Sequence, residues 1–354
     1  MLGLYYHSDF LKHYVDLPRP HFESFETPER LTAVYAYLAS TSVFELSGIT
    51  AKQGNTIKDE ALCRFQDPFL IDSVRMLSAA GGGEIGTYSY ASPQAFEVAK
   101  LAVGTAIQSC EAVLSGKVNQ SFALIRPPGH HSGYSKAEGL CIFNNCAVSI
   151  KHLLHEKKLD RALIIDLDTH YGDGIAEFFY SDPSVLYISL HEYFSKQERG
   201  GVFELGADEG MGYNVNIPLP FFTTNRTYLR AFDKIVPPLV KEFKPELILV
   251  AMGFDTHYAD PVGNLRLTSQ FFATITQRLK TIAEICDGKL ALVLEGGYNL
   301  ATLPKLIDIV IRSLIGLDSQ FFDEYMSFDD VNYSNISSLL NTLKNQLSHF
   351  WDCF

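Results

Sequence analysis

Arg161-Ala-Leu-Ile-Ile-Asp166-Leu-Asp168-Thr-His170-Tyr-Gly-Asp173-Gly174 decides the fold of this chain. Leu163–Ile165 is a continuous apolar run with no polar alternation, as a strand covered on both faces requires. It ends abruptly in acids. Residues two apart share one face of an extended chain, so Asp166, Asp168 and His170 leave the strand together. Runs of the same kind recur at Gly3–Tyr6, Ser121–Ile125, Val185–Leu190, Tyr213–Ile217, Glu246–Ala251 and Lys289–Leu294, and this one spans Arg161–Ile165. Helical periodicity fills the intervals at Pro93–Leu114, Asn144–Glu156, Asn225–Glu242, Ser269–Ile285 and Ala301–Ile315. The alternation predicts an α/β fold: a single domain with a mostly parallel multi-stranded sheet flanked by helices.

Ligands in such a sheet bind beyond the carboxyl ends of the strands. The residues just past each strand are therefore informative. Arg126-Pro-Pro-Gly-His130-His131, Asp166–Gly174, Met252-Gly-Phe-Asp255-Thr-His257 and Glu295-Gly-Gly-Tyr298 each succeed an apolar run. Buried carboxylates need a counter-charge or hydrogen bonds. A divalent cation is one remedy, and partners among His and backbone groups are another. Asp168, His170 and Asp255 would form a three-ligand site with room for water, the pattern of a catalytic metal centre. Zn2+ suits it, and an Asp-rich set also accepts Fe2+ or Co2+. His130 and His131 are read as acid/base groups, each needing an orienting acid, and Asp166 and Asp173 are left to serve. Tyr298 could donate to a developing oxyanion. His191 and His257 lie near the same rim without further support.

Composition narrows the remaining choices. The chain has 354 residues, 47% apolar and 20% charged, an ordinary globular balance. No apolar run approaches the ~18 residues of a membrane span. The N-terminal MLGLYYHSDF lacks the pattern of a secretory leader. A net charge of −12 argues against nucleic acid as a partner and mildly favours cationic substrates. Six scattered cysteines without a CxxC pair exclude a disulfide framework and point to a cytoplasmic protein. No linker or repeat divides the chain. Residues 1–316 are expected to form one catalytic domain. Residues 317–354 are expected to pack on it as an acidic segment and a helix, with Ile336, Leu339, Leu340, Leu343, Leu347 and Phe350 at helical spacing and Ser334 as N-cap.

These residues resemble the zinc-dependent histone deacetylase family of the arginase–deacetylase superfamily, and its bacterial acetoin-utilisation and acetylpolyamine amidohydrolase members. The matching stretches are Thr27-Pro-Glu-Arg-Leu31, Arg126–His131, Gly139-Leu-Cys-Ile-Phe-Asn-Asn145, Asp166–Gly174, Gly253–Leu267 and Leu294–Asn299. The resemblance implies an amidohydrolase that removes acetyl or longer acyl groups from acyl-lysine, or from acetylated small amines such as polyamines. It implies one catalytic Zn2+ on Asp168, His170 and Asp255. His130 would pair with Asp166 and His131 with Asp173, and Tyr298 would polarise the carbonyl. It also implies a structural K+ or Na+ held by Asp166, Asp168, His170, Ser189 and Leu190, partly through carbonyls. A second such site would use Phe179, Asp182, Val185 and Tyr213. The acyl tunnel would run past Gly139, Leu140 and Val262. Leu140 replaces the family's usual aromatic, and Val262 stands where polyamine-selective members can carry Glu. Two further alternatives are an arginase-like dimanganese ureohydrolase, disfavoured by the Asp-x-Asp-x-His order, and a non-catalytic acyl-lysine binder.

Overall fold

The computed structural model describes residues 1–14, 25–193, 199–323 and 325–354. Its strands are β1 (Leu2–Tyr6), β2 (Ile49–Gln53), β3 (Gly83–Gly86), β4 (Ser89–Ala91), β5 (Gln120–Ala123), β6 (Ala162–Asp166), β7 (Val185–Glu192), β8 (Asn214–Leu219), β9 (Leu247–Met252) and β10 (Leu290–Leu294). Eight of them form one sheet in the order β2-β1-β5-β10-β9-β6-β7-β8. Every neighbouring pair in it is parallel. The chain is thus a single α/β domain. The apolar runs explain the interior strands: every residue of β6, β9 and β10 is buried, as strands covered on both faces demand.

Helices flank the sheet in two files. Pro68–Ala79, Ala95–Leu114, Asn145–His155 and Asp173–Phe179 pack in succession, and so do Ile336–Leu347, Asn225–Phe243, Ser269–Ala283, Leu303–Ile315 and Glu29–Ser40. The C-terminal helix buries Ile336, Leu340, Leu343 and Leu347 in the main core, and Trp351 Nε1 donates to the Gly212 carbonyl at 2.9 Å. Its N-cap is Asn335, without a side-chain bond, rather than Ser334. The Ser334 hydroxyl turns instead to Asn335 Oδ1.

The strand order positions the site. β5, β10, β9 and β6 are consecutive in space although far apart in sequence. The segments after them are those carrying His130 and His131, Tyr298, Asp255, and Asp168 with His170. Edge strand β2 has a largely exposed, polar sequence that periodicity does not reveal. Among the described residues no helix is long and apolar enough to cross a membrane, and all six cysteines are free.

Truncating Ile164, wholly buried in β6, to Ala is expected to cost about 2–5 kcal/mol through lost burial and a cavity. Lys52→Ala on exposed β2 should change stability by less than ~0.5 kcal/mol. Urea unfolding of both variants checks this contrast. Equal losses would contradict the burial contrast between β6 and β2.

Candidate active site

Asp168, His170 and Asp255 meet where β6 and β9 end, with their ligand-type atoms all within 4.8 Å of one another. His170 Nδ1 lies 3.1 Å from Asp168 Oδ1 and 3.4 Å from Asp255 Oδ2. Backbone amides fix the outer carboxylate oxygens: Gly296 N donates to Asp168 Oδ2 and Thr169 N to Asp255 Oδ1, each at 2.9 Å. Asp255 Oδ2 is buried without a hydrogen-bond partner. Burial and the neighbouring Asp168 carboxylate push the Asp255 acid upward. Burial pushes Asp168 the same way, but His130 and His170 outweigh it and hold Asp168 down. Two buried carboxylates this close cannot both be charged without a cation. Gly296 keeps the space open, since a Cβ there would collide with both Asp255 Oδ2 and Asp168 Oδ2. An orphaned oxygen, a two-Asp one-His donor set and a cradle that only Gly permits all fit a divalent metal.

The tandem histidines lie beside this group, with ring centroids 4.1 Å apart. His130 Nδ1 lies 3.2 Å from Asp166 Oδ2, and His131 Nδ1 lies 2.9 Å from Asp173 Oδ1. These are the pairings that the family resemblance implies. Tyr187, which the sequence pattern does not single out, donates to Asp166 Oδ2 at 2.9 Å and holds that acid in place. The environments drive the two rings apart. Burial lowers the His130 pKa, but Asp168 and Asp166 overcome it and raise it to about 10. Burial lowers His131, and cationic His130 beside it lowers it further, against the pull of Asp173. Glu295 holds the turn from below: its Oε2 accepts from Gly129 N at 2.6 Å and from His130 N at 3.2 Å. His130, Cys141 and Glu295 also cluster within 4.8 Å, but two of the three are committed to these other partners.

Tyr298 reaches the same cavity from the turn after β10. Asp260 Oδ2 accepts its backbone amide at 2.7 Å, and the Arg30 guanidinium lies 4.7 Å from its ring centroid. Arg30 also donates to the Gly297 carbonyl at 2.7 Å and the Glu295 carbonyl at 2.5 Å. Burial pushes the phenol well above its ordinary pKa, so it is a neutral donor. Behind it Glu26 bridges two buried guanidinia: Arg126 at 2.6 Å and Arg30 at 3.2 Å. No role for Arg30, Glu26, Arg126 or Asp260 follows from the sequence, although Arg30, Arg126 and Asp260 fall within the family-like motifs.

The cavity encloses about 460 Å³ and is walled by Tyr88, Leu140, Phe221 and Val262, with Gly139 at its side. Gly139 has φ +57°, and a Cβ there would collide with His131 Cδ2, so the turn requires glycine. Asp166 faces Ser189 across β6 and β7, with Leu190 next in the strand. Here the Ser189 hydroxyl pairs with His191, and the Leu190 carbonyl accepts from Tyr228. Phe179, Asp182 and Val185 form one turn into β7. The Asp182 carboxylate is taken by Lys151 and Ser184, and the Tyr213 carbonyl accepts from Tyr187 N. His191 and His257 are buried packing residues, bonded to Gly200 and Asp323 respectively.

Burial alone would raise the Glu26 acid, but Arg126 and Arg30 hold it down at about 2. Its contribution to stability is therefore complete above the ordinary carboxylate range and is lost as pH falls toward about 2. Glu26→Gln should cost about 3–5 kcal/mol at neutral pH by leaving buried guanidinia unpaired. Urea unfolding against pH should show parent and variant converging in acid; a gap that persists there would contradict the pairing.

Known proteins resemble this chain over most of its length. The histone deacetylase domain profile matches residues 24–314. A probable deacetylase of Archaeoglobus fulgidus is 34% identical, with 99% of each chain covered. The histone deacetylase-like amidohydrolase of Pseudomonas aeruginosa is 34% identical over 89% of this chain and 82% of its own. The human polyamine deacetylase HDAC10 is 35% identical over 89% of this chain, which spans 48% of that longer protein. The crystal structure of the HDA15 HD domain superposes with a TM-score of 0.87 at 29% identity, covering 99% of this chain and 96% of its own. With its profile, relatives and fold in agreement, the chain belongs to the histone deacetylase family.

Proposed function

We propose that this chain hydrolyses the amide of an acylated primary amine, releasing acetate or a longer fatty acid. The substrate is the acylated side chain of lysine in a protein or peptide, or an acetylated polyamine. One observation carries the reading. A two-Asp one-His cluster, a buried imidazole of lowered pKa and a tyrosine hydroxyl converge on one cavity. Zn2+ held by Asp168, His170 and Asp255 would supply the Lewis acid that polarises the carbonyl and makes water nucleophilic at neutral pH.

The chain's own groups do the rest. His131 is kept neutral by burial and by its charged neighbour, so it takes the proton from the attacking water. Asp173 holds Nδ1, which leaves Nε2 for that proton. The imidazolium then gives the proton to the amine nitrogen as the C–N bond breaks. His130, pinned by Asp166, stays cationic and acts electrostatically. Tyr298, fixed by Asp260 and Arg30, donates to the developing oxyanion. Leu140 and Val262 line the acyl-amine tunnel. The same reading includes a structural K+ or Na+ on Asp166, Asp168, His170, Ser189 and Leu190, and a second on Phe179, Asp182, Val185 and Tyr213. It also includes a cytoplasmic location.

Tyr298→Phe should retain metal and KM while kcat falls on the order of 10²–10³-fold, because one oxyanion donor is lost and the ring remains. A variant with kcat within a few fold of the parent would reduce Tyr298 to a packing residue. Asp255→Ala should lose zinc, read as metal per chain after dialysis, since two ligands hold the ion far less tightly than three. A folded variant with full zinc would overturn the ligand set.

A further inference from the structure

The charges that line the cavity are not balanced evenly. Its wall carries three carboxylates, Glu138, Asp173 and Glu192, one guanidinium, Arg199, and the His130 imidazolium, which Asp166 and Asp168 answer. Asp173 is answered three times: by His131, by Lys136 at 3.3 Å and by Arg199 at 3.1 Å. Glu138 is answered by Lys136 at 2.6 Å. Glu192 differs. Its contacts are all neutral: Asn264 N at 2.8 Å, Asn264 Nδ2 at 3.1 Å and the Thr169 hydroxyl at 3.3 Å. Among the described residues no cation pairs with it.

These contacts also preorganise the group. Both carboxylate oxygens are held, so receiving a ligand would cost little side-chain entropy. Asn264 lies two residues after Val262, so the carboxylate is anchored on the loop that supplies one tunnel wall. Thr169, its other contact, stands between Asp168 and His170. The same cavity has apolar and aromatic walls, with Tyr88, Leu140, Phe221 and Val262, a lining suited to a methylene chain. A fixed, unanswered negative charge beside such walls favours a chain that carries a positive charge beyond the scissile amide.

Resting on the deacetylase reading above, we infer that Glu192 is a specificity residue that receives the free ammonium of a monoacetylated diamine or polyamine. It would supply from the end of β7 the negative charge that Val262 does not.

The test uses the zinc-loaded full chain. kcat/KM is measured for monoacetylated α,ω-diamines of increasing length and for amides of the same length ending in hydroxyl. Parent and Glu192→Gln are compared at low and high NaCl; Gln retains an acceptor for Asn264. The parent should prefer the ammonium-terminated amide at its best length by about fivefold, the scale of a partly exposed charge pair. That preference should shrink in high salt and vanish in Glu192→Gln. A parent without preference, or a variant that keeps it, overturns the role of Glu192. Turnover of the hydroxyl-terminated amides reports on the chemistry and on the fold of the variant. If the parent hydrolyses neither series but deacylates an acetyl-lysine peptide, the role of Glu192 falls and the deacetylase reading stands; if it hydrolyses none of the three, both fall.

Discussion

The structure is governed by the need to satisfy acids placed at the ends of apolar strands. Asp166, Asp168, Asp255 and Glu295 are all almost wholly buried, and each stands where a core strand gives out. Unpaired buried charges of this kind cost several kcal/mol each. Much of the surrounding architecture answers that demand. Tyr187 and His130 hold Asp166, the amides of Gly296 and Thr169 hold Asp168 and Asp255, and the amides of Gly129 and His130 hold Glu295. The strands bring the acids together, and the acids fix the turns beyond them.

The tandem histidines show how environment assigns roles that residue type does not. The two rings are chemically identical and adjacent in sequence. One stands between Asp166 and Asp168 and is driven toward the charged form. The other has Asp173, which divides its charge among His131, Lys136 and Arg199, and a cation at its side. Neighbouring titratable groups pushed in opposite directions form a natural acid/base division.

Most of the fold is legible in the sequence because buried parallel strands leave unmistakable apolar runs. The seven strands read from those runs fall within a residue or two of β1, β5, β6, β7, β8, β9 and β10, the ordinary uncertainty of element ends. Edge strand β2 and the hairpin β3–β4 escape that reading. The first is exposed, and the second is short and glycine-rich. The helices Glu29–Ser40 and Pro68–Ala79 also escape it. Within the site, the strand-end acids and histidines are visible because their pattern is local. Arg30 is not, since it gains its role from the Gly297 carbonyl, 267 positions away. Glu192 is invisible for a related reason: what marks it is the lack of a cationic partner among the described residues, which only three dimensions show.

The placement of β10 has a consequence for how the molecule comes into being. Among the strands it is the last in the chain, yet it lies in the middle of the sheet, between β5 and β9. A nascent chain that has emerged only to β9 therefore has two sheet fragments, each with an open, apolar edge and no neighbour. Such edges invite pairing with other chains. The residue that completes the rim, Tyr298, comes shortly after β10. The insertion that closes the sheet thus also assembles the site, so a ribosome-bound intermediate carries Asp166, Asp168 and the histidines His130, His131 and His170 without the architecture that unites them.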